Sequence, residues 1–166
     1  PGFGATMRWL ADNLPAESGR ASLIHNDFKM DNVVWDADEP MRLIGVLDWE
    51  MATLGDPLMD IGGTLGYWVE AGDPDFLRAA QLMPSDLPGA PTRAEAVQRY
   101  CRRTGFSVDP LDFYHCFGLF RLAVIAQQIY YRYYHGQTAD RRFGELIKWV
   151  HALDQMSSAI IPRSTI

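Results

Sequence analysis

Apolar positions along the chain change period as it runs from N- to C-terminus. Met7, Leu10 and Leu14 recur at helical spacing and predict a short helix over residues 3–13, stopped by Pro15. Residues 15–20 form a polar turn. Three short β-type runs follow, at Ser22–Ile24, Val33–Trp35 and residues 43–47. A loop at residues 25–31 and a turn-rich stretch at 36–40 separate them. Strand, loop, strand, turn and strand in so little sequence predict a small β element.

Beyond Asp48 the pattern becomes helical. Leu54-Gly55-Asp56-Pro57 reads as a turn, with Asp56 as N-cap and Pro57 at the first position of a helix running from Leu58 towards Val69. Gly62, Gly63 and Gly66 make a small-residue patch within it. Residues 71–74 break the chain, residues 75–82 predict a further helical turn or two, and 83–91 are loose. Thr92-Arg93-Ala94-Glu95 has the spacing of a capping box and opens a helix that Gly105 ends. A long helix over residues 112–135 carries Phe113, Phe117, Phe120, Val124 and Ile125 along one side, then four tyrosines between Tyr130 and Tyr134. Such a stripe is core packing. Phe143, Ile147, Val150, Leu153 and Met156 define a last helix over residues 140–160. The fold class is therefore α+β, mainly helical, in a single domain over residues 1–166.

Composition narrows the function classes. With 48 % hydrophobic and 12 % aromatic residues the chain can bury a substantial core. Its net charge of −6 argues against general affinity for nucleic acid or anionic membrane, and suits a cationic or neutral substrate. Cys101 and Cys116 form no CxxC pair and read as free thiols in a reducing compartment. Neither a membrane span nor a signal peptide is visible, so the expected location is cytoplasmic.

The chemistry lies where two of the strands run out. His25-Asn26-Asp27-Phe28-Lys29-Met30-Asp31-Asn32 has the His-x-Asp-(four residues)-Asn spacing of a kinase catalytic loop, and Val46-Leu47-Asp48-Trp49-Glu50 supplies a later acid. Phosphoryl transfer needs a carboxylate beside the acceptor hydroxyl and hard oxygen ligands for the metal ions on the phosphates. Asp27 suits the first role, and Asn32 and Asp48 the second. His25 suits bracing of the loop. Taken singly, a His-x-Asp pair can be a surface accident and a strand-ending Asp can cap a turn. Two such loops in the right order, about twenty residues apart, are a more specific signal.

These runs, followed by Leu54-Gly55-Asp56-Pro57-Leu58-Met59-Asp60-Ile61, resemble the aminoglycoside phosphotransferase/choline kinase family. Within it they look most like the phosphotransferase domains associated with acyl-CoA dehydrogenases. The resemblance covers essentially the whole chain, as the C-terminal lobe of a protein-kinase-like fold whose small β element carries the catalytic loops. It implies ATP and Mg2+ as cofactors, Asp27 as catalytic base, Asn32 and Asp48 as metal ligands, and Asp60 as a structural acid bracing the loop. It also implies a hydroxylated small-molecule acceptor, with hydroxy acids or hydroxyacyl thioesters favoured by the dehydrogenase-associated branch. Lys29 can reach a transferring phosphate. Asn26 stands where the family usually has Gly, and Asn tolerates the left-handed conformation better than most residues.

By position alone, Tyr67, Trp68 and Glu70, or the tyrosines at 130–134, are candidate substrate contacts. No stretch before His25 is long enough for a nucleotide-binding N-terminal lobe, so that lobe is expected to be absent and the isolated chain inactive. Two rivals remain open: a non-catalytic pseudokinase-like binding module, against which the intact Asp27, Asn32 and Asp48 weigh, and a metal-dependent phosphohydrolase, which lacks an Asp-x-Asp nucleophile or a His-rich cluster.

Overall fold

A computed structural model of the protein describes residues 2–16, 18–80 and 82–166. The helix α1 (Gly4–Asp12) leads into β1 (Ser22–Ile24), β2 (Val33–Trp35), β3 (Leu43–Val46) and β4 (Thr53–Gly55). Helices α2 (Pro57–Tyr67), α3 (Asp75–Ala80), α4 (Arg93–Thr104), α5 (Leu111–Tyr134) and α6 (Leu146–Ile160) make up most of the remainder. Helix starts follow the local chemistry. The Asp56 carboxylate accepts from the Leu58 amide with Pro57 at the first helical position, and Thr92 and Glu95 close a capping box on α4. Gly105 ends α4 at φ +74°, a left-handed cap that glycine adopts without strain. Of the expected helix over residues 75–82, Asp75–Ala80 is observed, and Gln81 lies outside the described residues.

The β element differs from expectation in one respect. Its strands form two antiparallel pairs, β1 with β4 and β2 with β3, and β4 occupies residues whose turn signals hide a strand. Ser22 faces Gly55 and Ile24 faces Thr53, while Val33 faces Val46. A three-residue strand beside Gly-Asp-Pro has no alternation to betray it; pairing with β1 alone makes it a strand. The consequence is functional: the loop after β1 and the loop before β4 leave the same two-stranded ladder side by side.

The helices pack through α2 and α5. A Cβ on Gly66 would lie 2.5 Å from the Gly118 carbonyl oxygen, one on Gly62 would lie 3.0 Å from the Tyr114 carbonyl oxygen, and one on Gly118 would run into the Gly62 carbonyl. The small-residue patch is therefore a backbone-to-backbone crossing. Leu58, Leu65, Phe113, Tyr114 and Cys116 are buried around it, and Leu119, Ala123 and Leu153 extend the core between α5 and α6. Phe113 is fully buried and Phe117 and Phe120 pack against the core, as the stripe predicts. Val124, Tyr131 and Tyr134 instead face solvent. No helix among the described residues is long and apolar enough to cross a membrane.

An ion cluster around the buried Arg93 ties α4 to the segment after α2. The Arg93 guanidinium donates to Glu70 (2.9 Å), Asp73 (2.5 Å) and the Trp68 carbonyl (2.5 Å). His115 lies beside it on α5, with Nε2 buried and unbonded among the described residues. Burial, with the positive charge of Arg93, pulls the His115 imidazole down from 6.5 to about 4.

Gly118→Ala is expected to lower unfolding free energy by about 3 kcal/mol, the upper end of overpacking costs, because backbone lines both sides of the contact. Gly72→Ala, into open space, should change it by under about 0.5 kcal/mol. Urea titrations of both variants check this. A His pKa lower folded than unfolded means that the unfolded chain takes the proton first. The contribution of His115 is thus present above pH 6.5 and lost as pH falls towards about 4. The drop in urea midpoint between about pH 7.5 and about pH 5 should be smaller for His115→Gln than for the parent chain.

Candidate active site

The loop after β1 is held from below by α2. Asp60, in the first turn of that helix, accepts the His25 amide on Oδ2 and the Asn26 amide on Oδ1, both at 2.7 Å. Thr64, one turn on, donates its hydroxyl to the Phe28 carbonyl at 2.8 Å. Between these supports the chain turns sharply, with Asn26 left-handed at φ +64°. Its side-chain amide donates to the Met51 carbonyl at 3.0 Å, a contact that glycine would not supply.

His25 locks this loop to the second one. The Asp27 amide donates to Nδ1 at 3.2 Å, which leaves the proton on Nε2, and Nε2 lies 2.7 Å from the Leu47 carbonyl oxygen. The Leu47 amide in turn donates to the Asn32 carbonyl at 2.8 Å. Leu47 is thus fastened at both ends to the first loop. Asp48 follows it directly, left-handed at φ +65°, with an exposed side chain. The Trp49 ring lies 4.7 Å from the His25 ring, between centroids.

Asp27 stands at the centre of a dense polar cluster. Its Oδ1 accepts the Tyr67 hydroxyl at 2.8 Å, with an Arg121 nitrogen 3.9 Å away. Lys29 Nζ lies 2.9 Å from Oδ2, and the Asn32 amide nitrogen donates to the Asp27 carbonyl at 2.8 Å. Burial pushes the Asp27 carboxyl up, but the hydrogen bonds from Lys29 and Tyr67 and the charges of Lys29 and Arg121 outweigh it and hold the group below its ordinary value. Burial and the bond to Asp27 raise the Tyr67 phenol well above its usual range, so it is a permanent donor.

Of the residues singled out from sequence, the structure joins Asp27, Asn32, His25, Lys29 and Asp60 in one hydrogen-bonded unit, with Asp48 at its margin. Tyr67 belongs to the same unit, bonded to Asp27 itself. Trp68 is turned away, its indole donating to the Pro91 carbonyl at 3.1 Å. With Phe28, Lys29, Met30 and Trp35 it walls an apolar cavity of about 310 Å³ against the loop. Glu70 is committed to Arg93 and does not join Asp27. Arg121 was not singled out. It sits among apolar neighbours on α5, one turn past Gly118, and donates to the Asn26 carbonyl oxygen. A charge inside an apolar stripe was the available signal. Tyr67, a candidate substrate contact by position alone, follows Asp60 and Thr64 on α2 at helical spacing and is bonded to Asp27.

The donor chemistry fits a magnesium ion. The Asn32 amide nitrogen is held by Asp27, which leaves its oxygen free to accept a cation, and Asp48, an exposed carboxylate, follows Leu47, whose amide is bonded to the Asn32 carbonyl. No group of three or more His, Cys, Asp or Glu able to hold a metal exists among the described residues. Two hard oxygens with the other positions left to phosphates and water is the pattern of Mg2+ rather than of a zinc centre.

Comparison with known proteins identifies relatives of the chain and of its fold. The chain is 36 % identical over 144 residues to acyl-CoA dehydrogenase family member 11 of Rattus norvegicus, covering 84 % of this chain and 18 % of that one. It is 35 % identical over 141 residues to family member 10 of Mus musculus, covering 84 % of this chain and 13 % of the relative. The chain thus spans less than a fifth of the length of either curated relative. A crystal structure from Ralstonia eutropha, of a protein provisionally assigned as an aminoglycoside phosphotransferase, superposes with a TM-score of 0.81 at 29 % identity, over all of this chain and 50 % of that one. A sequence model of the phosphotransferase enzyme family matches residues 2–97, a span that contains both acidic loops and α2. Fold, loop geometry and relatives agree that the chain belongs to the phosphotransferase enzyme family.

Proposed function

We propose that the chain is the acceptor-and-metal half of an ATP-dependent small-molecule kinase. The observation that carries this reading is the lock between the two acidic loops: His25 bonded to Leu47, and Leu47 bonded back to Asn32, with Asp27 and Asp48 on either side. In such a kinase the acceptor oxygen forms a bond to the γ-phosphorus as the bond to the β-phosphate bridging oxygen breaks, with that electron pair leaving on ADP. Asp27 orients the acceptor hydroxyl and receives its proton. Asn32 and Asp48 would hold Mg2+, which neutralises charge on the phosphates when bound. His25 and Asp60 fix the loop, and Lys29 faces the transferring phosphoryl group.

The acceptor side is less polar than the antibiotic name of the family suggests. The cavity walled by Phe28, Trp35 and Trp68 is apolar and begins at Lys29, whose nitrogen touches Asp27. That supports a hydroxylated acceptor with an apolar body, such as a hydroxyacyl compound, over a polyamine. Among the described residues no counterpart exists to the phosphate-covering loop and Lys–Glu pair of a nucleotide clamp. We assign the clamp to a further lobe of the same protein, in line with the larger size of the relatives.

Three outcomes test the reading. The whole protein, given MgATP labelled at the γ-phosphate, should label hydroxyacyl thioesters in preference to aminoglycosides; label on aminoglycosides alone would overturn the acceptor assignment. Asp27→Asn should lower turnover by about 10²–10⁴-fold while leaving the circular dichroism spectrum unchanged. Residues 1–166 alone should bind ATP weakly by calorimetry and show turnover near background; substantial kinase activity from them would remove the need for the second lobe.

A further inference from the structure

The two oxygens of Asp27 have different kinds of partner. Oδ1 is held by groups on helices: the Tyr67 hydroxyl, at 2.8 Å from the last turn of α2, and Arg121 of α5, at 3.9 Å. Both are anchored. Tyr67 is buried, and Arg121 also donates to the carbonyl oxygen of Asn26, the residue before Asp27. The partner of Oδ2 is Lys29, a residue of the loop itself on a flexible four-carbon stem, and Asn32 reaches the same oxygen only at 3.3 Å. One oxygen is therefore fixed from outside the loop, and the other is covered by a side chain that can swing aside.

We propose that Tyr67 and Arg121 are positioning residues that claim Oδ1 of Asp27 and so make Oδ2 the oxygen that meets the acceptor hydroxyl. This rests on the kinase reading above and adds to it which oxygen works and what aims it. In the acceptor-free site Lys29 occupies the position the acceptor hydroxyl takes. When the acceptor arrives, Lys29 turns to the phosphoryl group, while Tyr67 and Arg121 keep the carboxylate from rotating after it. A carboxylate with both oxygens free to exchange would lose the aligned geometry in which a proton can pass. The α2–α5 crossing makes the arrangement possible, since Gly66 lies one residue before Tyr67 and Gly118 one turn before Arg121.

The test uses the whole protein with MgATP as probe and water as acceptor, read as ADP release, for the parent, Asp27→Asn, Tyr67→Phe, Arg121→Lys and the Tyr67→Phe/Arg121→Lys pair. Tyr67→Phe keeps the packing and removes only the donor. It should lower kcat about 10- to 100-fold while KM for ATP stays within about threefold, a split that general loosening of the fold would not produce. Arg121→Lys should lower kcat in the same way, and the double variant should lose less than the product of the two, because both act on one oxygen. If Tyr67→Phe melts early, Arg121→Lys, which keeps the charge, decides the matter. Parent-like kcat in both single variants, with Asp27→Asn inert, overturns the positioning role and leaves the kinase reading standing. Equal turnover in the parent and Asp27→Asn overturns both.

Discussion

The backbones of α2 and α5 touch at Gly62, Gly66 and Gly118, and the side chains that hold the first acidic loop from below are carried by those two helices. Asp60, Thr64 and Tyr67 project from α2, and Arg121 from α5. Between them they reach two amides, two carbonyls and the Asp27 carboxylate of the loop. A methyl group at the crossing would push the helices apart, and these contacts, at 2.7 and 2.8 Å for Asp60, Thr64 and Tyr67, have little slack. Core packing and site geometry are here one constraint. The β1–β4 ladder then sets the two acidic loops side by side, and His25 fastens them together.

Electrostatics in the site runs against the chain as a whole. The net charge is −6, yet Asp27 is faced by Lys29 and Arg121 within 4 Å, and its carboxyl is held below its ordinary value. A carboxylate so stabilised is a weak base in the resting state. In the proposed kinase such a group would orient a hydroxyl and take the proton late, as the new bond to phosphorus forms, rather than remove it beforehand. The same cations soften the repulsion that an acidic protein presents to any anion at this loop.

The comparisons and the structure cover different parts of this arrangement. The family match ends at residue 97, so it includes the loops and α2 but not Arg121, which comes from α5. The Ralstonia eutropha structure spans the whole chain and extends the likeness to the later helices. The curated relatives carry the matching region within much longer polypeptides.

Sequence by itself determined whatever depends on neighbours along the chain. The cap at Asp56-Pro57, the capping box at Thr92–Glu95, the helical stripes and the order of the two acidic loops all follow from spacing over a few residues, where local sterics and hydrogen bonding decide. Asn26 is compatible with the left-handed region it occupies, because Asn is among the few residue types that adopt it readily. Tertiary structure decided the rest. Thr53–Gly55 became a strand only because β1 lies beside it; Tyr67 bonds to Asp27, and Glu70 to Arg93, because of where α2 and α4 come to rest. Asp27 and Arg121 are ninety-four positions apart in the chain, and no local rule joins them. What joins them is the absence of three Cβ atoms at a helix crossing, a feature legible as glycine in the sequence but meaningful only once the partner helix is known.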